Sequence, residues 1–479
     1  MMRLTLKRRK VVVIGGGITG LTAAFYLQKE AKQHDVPIDV VLIEATLRVG
    51  GKIQTLRRDG FIIERGPESF FDSCSSVRTL ARDLQIEHKL VQNHHGHSYV
   101  AVGSELHSIP SNLLFGGSPK VSSFITSSLL SISGKIRAAG DLVLPKAVGE
   151  IDEPIGDFFR RRFGKEVVEN LVEPVLAGTF AGDIDRLSMQ SMFPQFYQLE
   201  KEHRSLIFGM KKSGKGIYAI KNNKGTAQGP LHYESFQNGL ETLVETLEQQ
   251  LTPNSILKGV KVENIEKLPD NTLQINVNNI APIHADAVIM TTPFNTAKMI
   301  FKDYGVMQNL PNMNYATIAT VTMAFKQGQI SKYKDALNFF VSRNSDLAIT
   351  SCTWNNRKWD NVAPEGYDLL RVYIGRVGDE SIVELSDSEI EKIVIQDLQK
   401  AIDLQSKPLF TVVARWKQSM PQYTVGHEKR LAELKQQFEE QFPQVQLIGS
   451  SYEGISVPDC VAQGKDAAKQ VVEQLFTEV

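Results

Sequence analysis

The stretch Lys10–Gly20, KVVVIGGGITG, decides the fold. Val11–Ile14 is an apolar run of the length of a short buried parallel strand. Gly15, Gly17 and Gly20 follow in the spacing G-x-G-x-x-G. One glycine permits the tight turn, one lets backbone approach a pyrophosphate, and the third lets the next helix pack on the strand. A helix pattern carrying Leu21, Tyr26 and Leu27 succeeds them, so a diphosphate would meet free N–H groups and the positive end of the helix dipole. Glycine-rich strand–helix turns also recur for packing alone. The second strand, Asp39–Ile43, separates the two readings: it ends in Glu44, at about the ~20-residue distance at which an acid accepts from a ribose 2′-OH. Gly15, Gly16, Gly17, Ile18, Thr19 and Gly20, with Glu44 and Ala45, are therefore read as a dinucleotide cradle in an α/β domain.

Composition narrows what surrounds that cradle. A chain of 479 residues exceeds one hydrophobic core and suits two or three domains. Zero net charge provides no bulk field toward nucleic acid or acidic membrane. Cys74, Cys352 and Cys460 are far apart, with no C-x-x-C pair, which argues against a disulfide framework or a zinc site. His94-His-Gly-His97 leads straight into Ser98–Val102 and a Gly103 turn, the pattern of a polar hairpin lead-in rather than of a metal site, and no metal is expected. Basic residues Lys7–Lys10 imitate a secretory signal, but no A-x-A-type cleavage site follows them. No stretch reaches the ~18–20 uninterrupted apolar residues of a membrane span. A cytoplasmic protein, monomeric or homodimeric, is expected.

Beyond Glu44 the cradle continues through Arg48-Val-Gly-Gly-Lys-Ile, a turn at Asp59-Gly60, and Phe61-Ile-Ile-Glu-Arg-Gly-Pro-Glu. Paired glycines allow close backbone approach, and Arg48 is placed to meet phosphate. Together, Gly15–Gly20, Glu44, Arg48-Val-Gly-Gly and Glu64-Arg-Gly-Pro resemble the FAD-binding start of the flavin amine oxidase superfamily. Its protoporphyrinogen oxidase branch is the nearest match. That narrowing rests on Asn170-Leu-Val-Glu-Pro-Val-Leu-Ala-Gly-Thr-Phe-Ala-Gly-Asp, Leu187-Ser-Met, Phe193-Pro, Arg415-Trp-Lys-Gln-Ser-Met-Pro-Gln-Tyr and Gly454-Ile-Ser-Val-Pro-Asp-Cys. The pattern is similar to the Gram-positive bacterial type, which acts on coproporphyrinogen III.

The resemblance implies a discontinuous Rossmann-like FAD-binding domain, a mixed-sheet substrate domain and a mostly helical insert. The expected boundaries are 1–75, 236–297 and 442–479 for the first, 76–110 and 298–441 for the second, and 111–205 for the insert, with 206–235 as a basic loop and connection. The residues support that division. Val77–Leu90 and Asp387–Ile402 carry helical stripes, and Leu240–Leu251 does so after Phe236-Gln-Asn-Gly. Ile256, Val260–Val262, Leu273–Val277 and Ala287–Met290 read as strands completing the nucleotide-binding sheet. Ile318–Phe325, Phe339–Ser342, Ala348–Trp354 and Leu369–Ile374 read as a separate mixed sheet, and Val445–Gly449 followed by a helix over about Cys460–Leu475 as a return to the cofactor domain. Leu113–Phe115 and Phe124–Leu130 in the insert read as core packing, with membrane contact the alternative. Lysine-rich Lys211–Gly229 reads as a solvated loop.

FAD rather than NAD is expected, because Arg48-Val-Gly-Gly and the Gly454-Ile-Ser-Val return extend the cradle beyond ADP. By resemblance, Gly51, Lys52, Gly66, Pro67, Glu68, Ser69, Trp416, Gly454, Ile455, Ser456 and Val457 line the cofactor, and Val262 meets its adenine side through backbone. No catalytic triad, H-E-x-x-H or paired-carboxylate motif is visible, and none is assigned. The implied reaction is heme-pathway oxidation of coproporphyrinogen III, with protoporphyrinogen IX as a further substrate, O2 as acceptor and a downstream heme-pathway enzyme as a possible partner. Arg343, Arg371 and Arg376 are the cations considered for its propionates, with surface salt bridges as the other reading. One departure stands out: Asp72-Ser-Cys-Ser occupies positions where some Gram-positive relatives carry lysines. A flavin oxidase or desaturase acting on an amine or polyene, and a non-catalytic dinucleotide-binding module, are the competing readings.

Overall fold

The computed structural model describes residues 7–71, 75–103, 105–109, 127–147, 149, 152–213, 232–330 and 332–476. The apolar run after Lys10 becomes the strand Arg9–Ile14, in the centre of a five-stranded parallel sheet. Across that sheet the strands run Ile256–Lys258, Ile38–Glu44, Arg9–Ile14, Ala287–Met290 and Val445–Leu447. Successive strands fall on one side of Arg9–Ile14 and then on the other, so the strand order reverses there. Ligands of such sheets bind at that reversal, beyond the carboxyl ends of the strands.

Three separate stretches of chain build this sheet, and helix packing holds them together. The helix Ile18–Gln33 lies against the final helix, Val457–Phe476, within one apolar cluster that includes Leu21, Leu27, Val461 and Val471. Gly464 sits so close to the first helix that a methyl there would come within 2.6 Å of the Thr19 carbonyl oxygen. The opposite face is covered by another cluster, in which Ile14, Val288 and Met290 meet Phe301, Phe438 and Phe442.

Two expectations about this region need correction. Val262–Lys267 and Leu273–Val277 do not join the nucleotide-binding sheet; with Ile283–Ala285 they form their own three-stranded antiparallel sheet. Their connections are too short for the crossover that parallel strands need, and Asn271 and Asn279 adopt positive φ in them. The helix expected over Val77–Leu90 runs only from Ser75 to Asp83. Gln85 has a φ of 62°, which ends the helix, and Leu90–Gln92 is already a strand.

The mixed substrate sheet is present, with seven strands in the order Phe410–Pro421, Tyr315–Lys326, Tyr367–Ile374, Ile349–Trp354, Ala336–Val341, His97–Val102 and Glu105–Ile109. One pair is parallel and the others antiparallel. Helix Asp387–Ile402, opened by a Ser386/Glu389 capping box, covers it through Ile390, Val394 and Leu398. Tyr233–Phe236 is a strand that the sequence reading missed. The described part of the insert is helical over Ile132–Ala139, Ile155–Phe163, Glu173–Phe180 and Pro194–His203. Leu206–Ser213, expected to open the basic loop, is instead a helix that packs Leu206 and Met210 into the core of the insert. Leu129 and Leu130 are buried in that core, not on a membrane-facing surface. Leu113–Phe115, residues 124–126, Asp72–Cys74 and most of the basic loop lie outside the described residues. Among the described residues no helix is long and apolar enough to cross a membrane.

Candidate functional site

The glycine turn has the geometry its spacing demands. Gly15 has a φ of 107°, and a methyl on it would stand 2.5 Å from Thr291 Oγ1. That hydroxyl, from the end of the neighbouring strand, donates to the carbonyls of Ile14 and Gly15 at 3.0 and 3.1 Å. A methyl at Gly20 would collide with the Gly15 carbonyl oxygen, which explains the third glycine. Gly17 is different: nothing lies within 4 Å of where its Cβ would be. It caps the helix Ile18–Gln33 without a side-chain cap bond, and no acid occupies the first turn. Open space at a helix N-terminus with uncapped N–H groups fits a diphosphate.

Glu44 closes one side of this space. Its Oε2 accepts from Gly16 N at 2.7 Å, and its Oε1 from Thr46 N and Oγ1 at 2.8 Å. Both oxygens are thereby oriented at the strand end where a ribose diol would lie, and Ala45 follows directly. Gly259 N and Val260 N bond the carbonyls of Thr46 and Glu44, which brings the chain leading to buried Val262 past the same edge.

Arg48 and its glycines form the next wall. Gly50 N donates to Gly16 O at 2.7 Å, so the two glycine turns are directly joined. Gly51 has a φ of 55°, and a methyl there would meet Gly17 Cα at 3.2 Å. The Arg48 guanidinium is occupied by Glu241 at 2.8 Å and by the carbonyls of Ile53 and Gly51 at 2.8 and 3.0 Å; it braces the loop. Lys52 makes no hydrogen bond or ion pair among the described residues. Burial, with no carboxylate beside it, lowers its pKa.

Gly66 packs directly on that wall, since a methyl on it would collide with the Lys52 carbonyl. Three adjacent strands of the substrate sheet reach the same loop. Trp416 Nε1 donates to Arg65 O at 2.6 Å, Thr320 Oγ1 to the same oxygen at 3.2 Å, and Arg371 to Gly66 O. Glu68 lies between Lys358 and Arg371, bonding Arg371 Nη1 at 3.2 Å. Although its burial acts the other way, these two cations hold the Glu68 carboxyl below the usual range. Ser235 Oγ bonds the Glu68 carbonyl at 2.8 Å, tying in the segment that runs through Pro67 to Ser69.

From the opposite side comes the Gly454–Val457 turn. Gly454 has a φ of 71°, and a methyl there would strike Asp459 at 2.5 Å. Ser456 and Asp459 bond each other's backbone N–H at 3.2 and 3.1 Å, capping the final helix. The partly buried Ile455 packs against the helical insert. Buried Cys460, whose thiol is pushed up by burial, lies beside Thr19 and Lys52. The glycine turn, Glu44 and the Arg48–Lys52 loop are thus joined directly, and Gly66 packs on the Lys52 end of that loop.

The three arginines considered for a substrate do not share a pocket. Arg371 is fully buried under the Gly66–Glu68 loop, which removes the surface-salt-bridge reading for it. Arg343 bonds Glu173 at 2.7 Å and Asp379 at 3.3 Å, while Arg376 bonds Asp379 at 2.8 Å and lies 3.6 Å from Glu173. All three face protein carboxylates. Burial raises the Glu173 carboxyl despite both arginines. Thr291, Thr320, Lys358 and Arg65 carry no role in the sequence reading. No group of three metal-ligating side chains occurs among the described residues.

Comparison with known proteins agrees with this geometry. The family model for flavin-containing amine oxidoreductases matches residues 18–472. The chain is 45% identical to coproporphyrinogen III oxidase of Bacillus subtilis, over 98% of this chain and 99% of that one. It is 36% identical to coproporphyrinogen III oxidase of Staphylococcus aureus, over 98% and 100%. A crystal structure provisionally assigned as a protoporphyrinogen oxidase, from Exiguobacterium sp. 255-15, superposes with a TM-score of 0.86 at 31% identity, covering 98% of this chain and all of that one.

Proposed function

Because the chain belongs to the flavin-containing amine oxidoreductase family, we propose that it is an FAD-dependent oxidase converting coproporphyrinogen III to coproporphyrin III in heme biosynthesis. The observation that carries the substrate is the 45% identity, end to end, with a relative of that name. Plant and bovine protoporphyrinogen oxidases match over almost the whole chain too, but at 25–28% identity, which supports the coproporphyrin reading. Overall, six electrons leave the substrate and three O2 become three H2O2.

In this reading FAD supplies the two-electron acceptor, and the protein supplies orientation and exclusion of side reactions. Gly15–Gly20 and the helix N-terminus at Ile18 hold the diphosphate, Glu44 the ribose, and Val262 the adenine side. Lys52 adds a positive charge that protein carboxylates do not cancel. Gly66–Ser69, Trp416 and Gly454–Val457 form the flavin-side wall. Its rigidity derives from Arg371, Thr320 and Trp416, which fix successive carbonyls of one loop. No general base is assigned, since hydride loss from an electron-rich meso carbon requires placement of the acceptor first. The protein acts as a cytoplasmic enzyme in this proposal.

The test is aerobic turnover of coproporphyrinogen III beside protoporphyrinogen IX, read by porphyrin fluorescence, with peroxide measured in parallel. The expected result is three peroxides per coproporphyrin and a higher kcat/KM for coproporphyrinogen. No gain over autoxidation with either substrate would refute the oxidase reading, and faster turnover of protoporphyrinogen would refute only the preference.

A further inference from the structure

We infer that Arg65 is the residue that binds a substrate carboxylate in this site. The inference rests on the porphyrinogen reading above. Its starting point is charge balance. Arg343, Arg371 and Arg376 are each paired with Glu68, Glu173 or Asp379. Arg65 is not: its side chain has no hydrogen bond and no ion pair among the described residues, and its Nε is sealed from solvent without a partner. Its Nε–H is thus an unsatisfied donor on a partly buried guanidinium, and an acceptor from outside the protein would satisfy it.

The carboxylates next to it in sequence are both engaged elsewhere. Glu64 accepts from Leu240 N at 2.6 Å and Thr55 Oγ1 at 2.9 Å, and Glu68 holds Lys358 and Arg371. Meanwhile the Arg65 backbone is fixed at both ends, its N–H donating to Gln54 O at 2.8 Å and its carbonyl accepting from Trp416 and Thr320. The latter two stand on adjacent strands of the substrate sheet. Little ordering is left to do when a ligand arrives, and the planar fork of arginine matches a carboxylate in a bidentate way. Lys52, another cation without a partner among the described residues, lies beside Cys460 and Thr19 at the cofactor helices.

The experiment uses flavin-loaded Arg65→Met and Arg65→Lys proteins. Binding of coproporphyrin III and of its tetramethyl ester is titrated by fluorescence, and FAD affinity is measured by reconstitution of stripped protein. Loss of a charge-assisted hydrogen-bond pair predicts ~10- to 100-fold weaker binding of the tetra-acid to Arg65→Met. An intermediate loss is expected for Arg65→Lys, with unchanged binding of the ester and unchanged FAD affinity. Wild-type binding of the tetra-acid by Arg65→Met overturns the inference. So does weakened FAD binding with the porphyrin unaffected, which would give the arginine to the cofactor. If Arg65→Met does not fold, Arg65→Lys alone decides, because it keeps the charge and loses the fork. Turnover of coproporphyrinogen by the wild-type enzyme separates failure of this inference from failure of the porphyrinogen reading.

Discussion

Replacing Glu68 by glutamine removes one negative charge and almost no volume. In the native protein that carboxylate is 11% exposed and faces Arg371, at 0%, and Lys358, at 13%. Glu68→Gln leaves two covered cations without their counter-charge, and breaking a buried pair in this way costs ~3–5 kcal/mol. The lower end applies, because the Arg371 guanidinium keeps Gly66 O and lies 4.8 Å from the Tyr373 ring, while Lys358 lies 4.5 Å from the Tyr233 ring. Arg371→Met costs less: Glu68 keeps Lys358, and the main loss is the donor to Gly66 O, ~1–3 kcal/mol. At roughly 2–4 °C per kcal/mol for a domain of this size, Glu68→Gln is expected to lower the melting temperature by roughly 6–12 °C at pH 7. Calorimetry on flavin-free protein reads this directly. The sign with pH is fixed as well. Because the folded-state pKa of Glu68 is depressed, its contribution is complete above the ordinary value and disappears as pH falls through the depressed one. Glu68→Gln lacks that acid-side loss. An unchanged melting temperature, or a larger drop in Arg371→Met than in Glu68→Gln, would refute the charge-balance reasoning.

Gly17 and Gly20 give opposite signatures: Gly17→Ala has room for its methyl and should keep the apo-protein melting temperature while weakening FAD binding more than tenfold, whereas Gly20→Ala collides with Gly15 O and should fail to fold. Reconstitution titration and calorimetry check both. Burial pushes the Glu64 carboxyl up to about 7, so stability from its neutral form is complete below the ordinary value of 4.5 and lost as pH rises through about 7. Glu64→Gln should therefore remove roughly 3 kcal/mol of the stability difference between acid and neutral pH, measured by denaturant titration. Ser456→Ala removes one half of the cap on the final helix and should cost ~1 kcal/mol, seen as faster amide exchange near Val457–Val461.

Spacing carried most of what was legible in the sequence. A tight turn, a close approach and a helix contact each require glycine at a fixed offset, so Gly15, Gly17 and Gly20 announced their roles before any partner was known. The alternating and continuous apolar runs marked the strands of the parallel sheet and most of the mixed sheet, because burial of one or both faces is a local pattern. They did not mark Glu105–Ile109, Tyr233–Phe236 or Phe410–Pro421. Pairing was less legible. Val262–Lys267 and Leu273–Val277 have the same strand pattern whether they extend the parallel sheet or fold back on each other, and short asparagine turns chose the second. Arg65 escaped notice for a similar reason. Between Glu64 and Glu68 a cation reads as already neutralised. Only the fold brings Lys358 and Arg371, 290 and 303 residues further along the chain, to claim Glu68.

In the proposed function the Arg65–Glu68 loop joins the two halves of the chemistry. On its cofactor side Gly66 touches Lys52 O, and Lys52 belongs to the loop bonded to the glycine turn through Gly50 and Gly16. On its substrate side, neighbouring strands deliver Trp416, Thr320 and Arg371 to consecutive carbonyls. A shift of the substrate sheet against the cofactor sheet cannot occur without breaking these bonds together. The buried Glu68–Arg371 pair is weak as a source of stability compared with an apolar replacement of equal volume. What an apolar pair would not provide is a donor to Gly66 O, and with it a fixed distance between cofactor and substrate. Hydride transfer is sensitive to that distance at the scale of an ångström, so a costly ion pair at this position is consistent with selection for alignment rather than for stability.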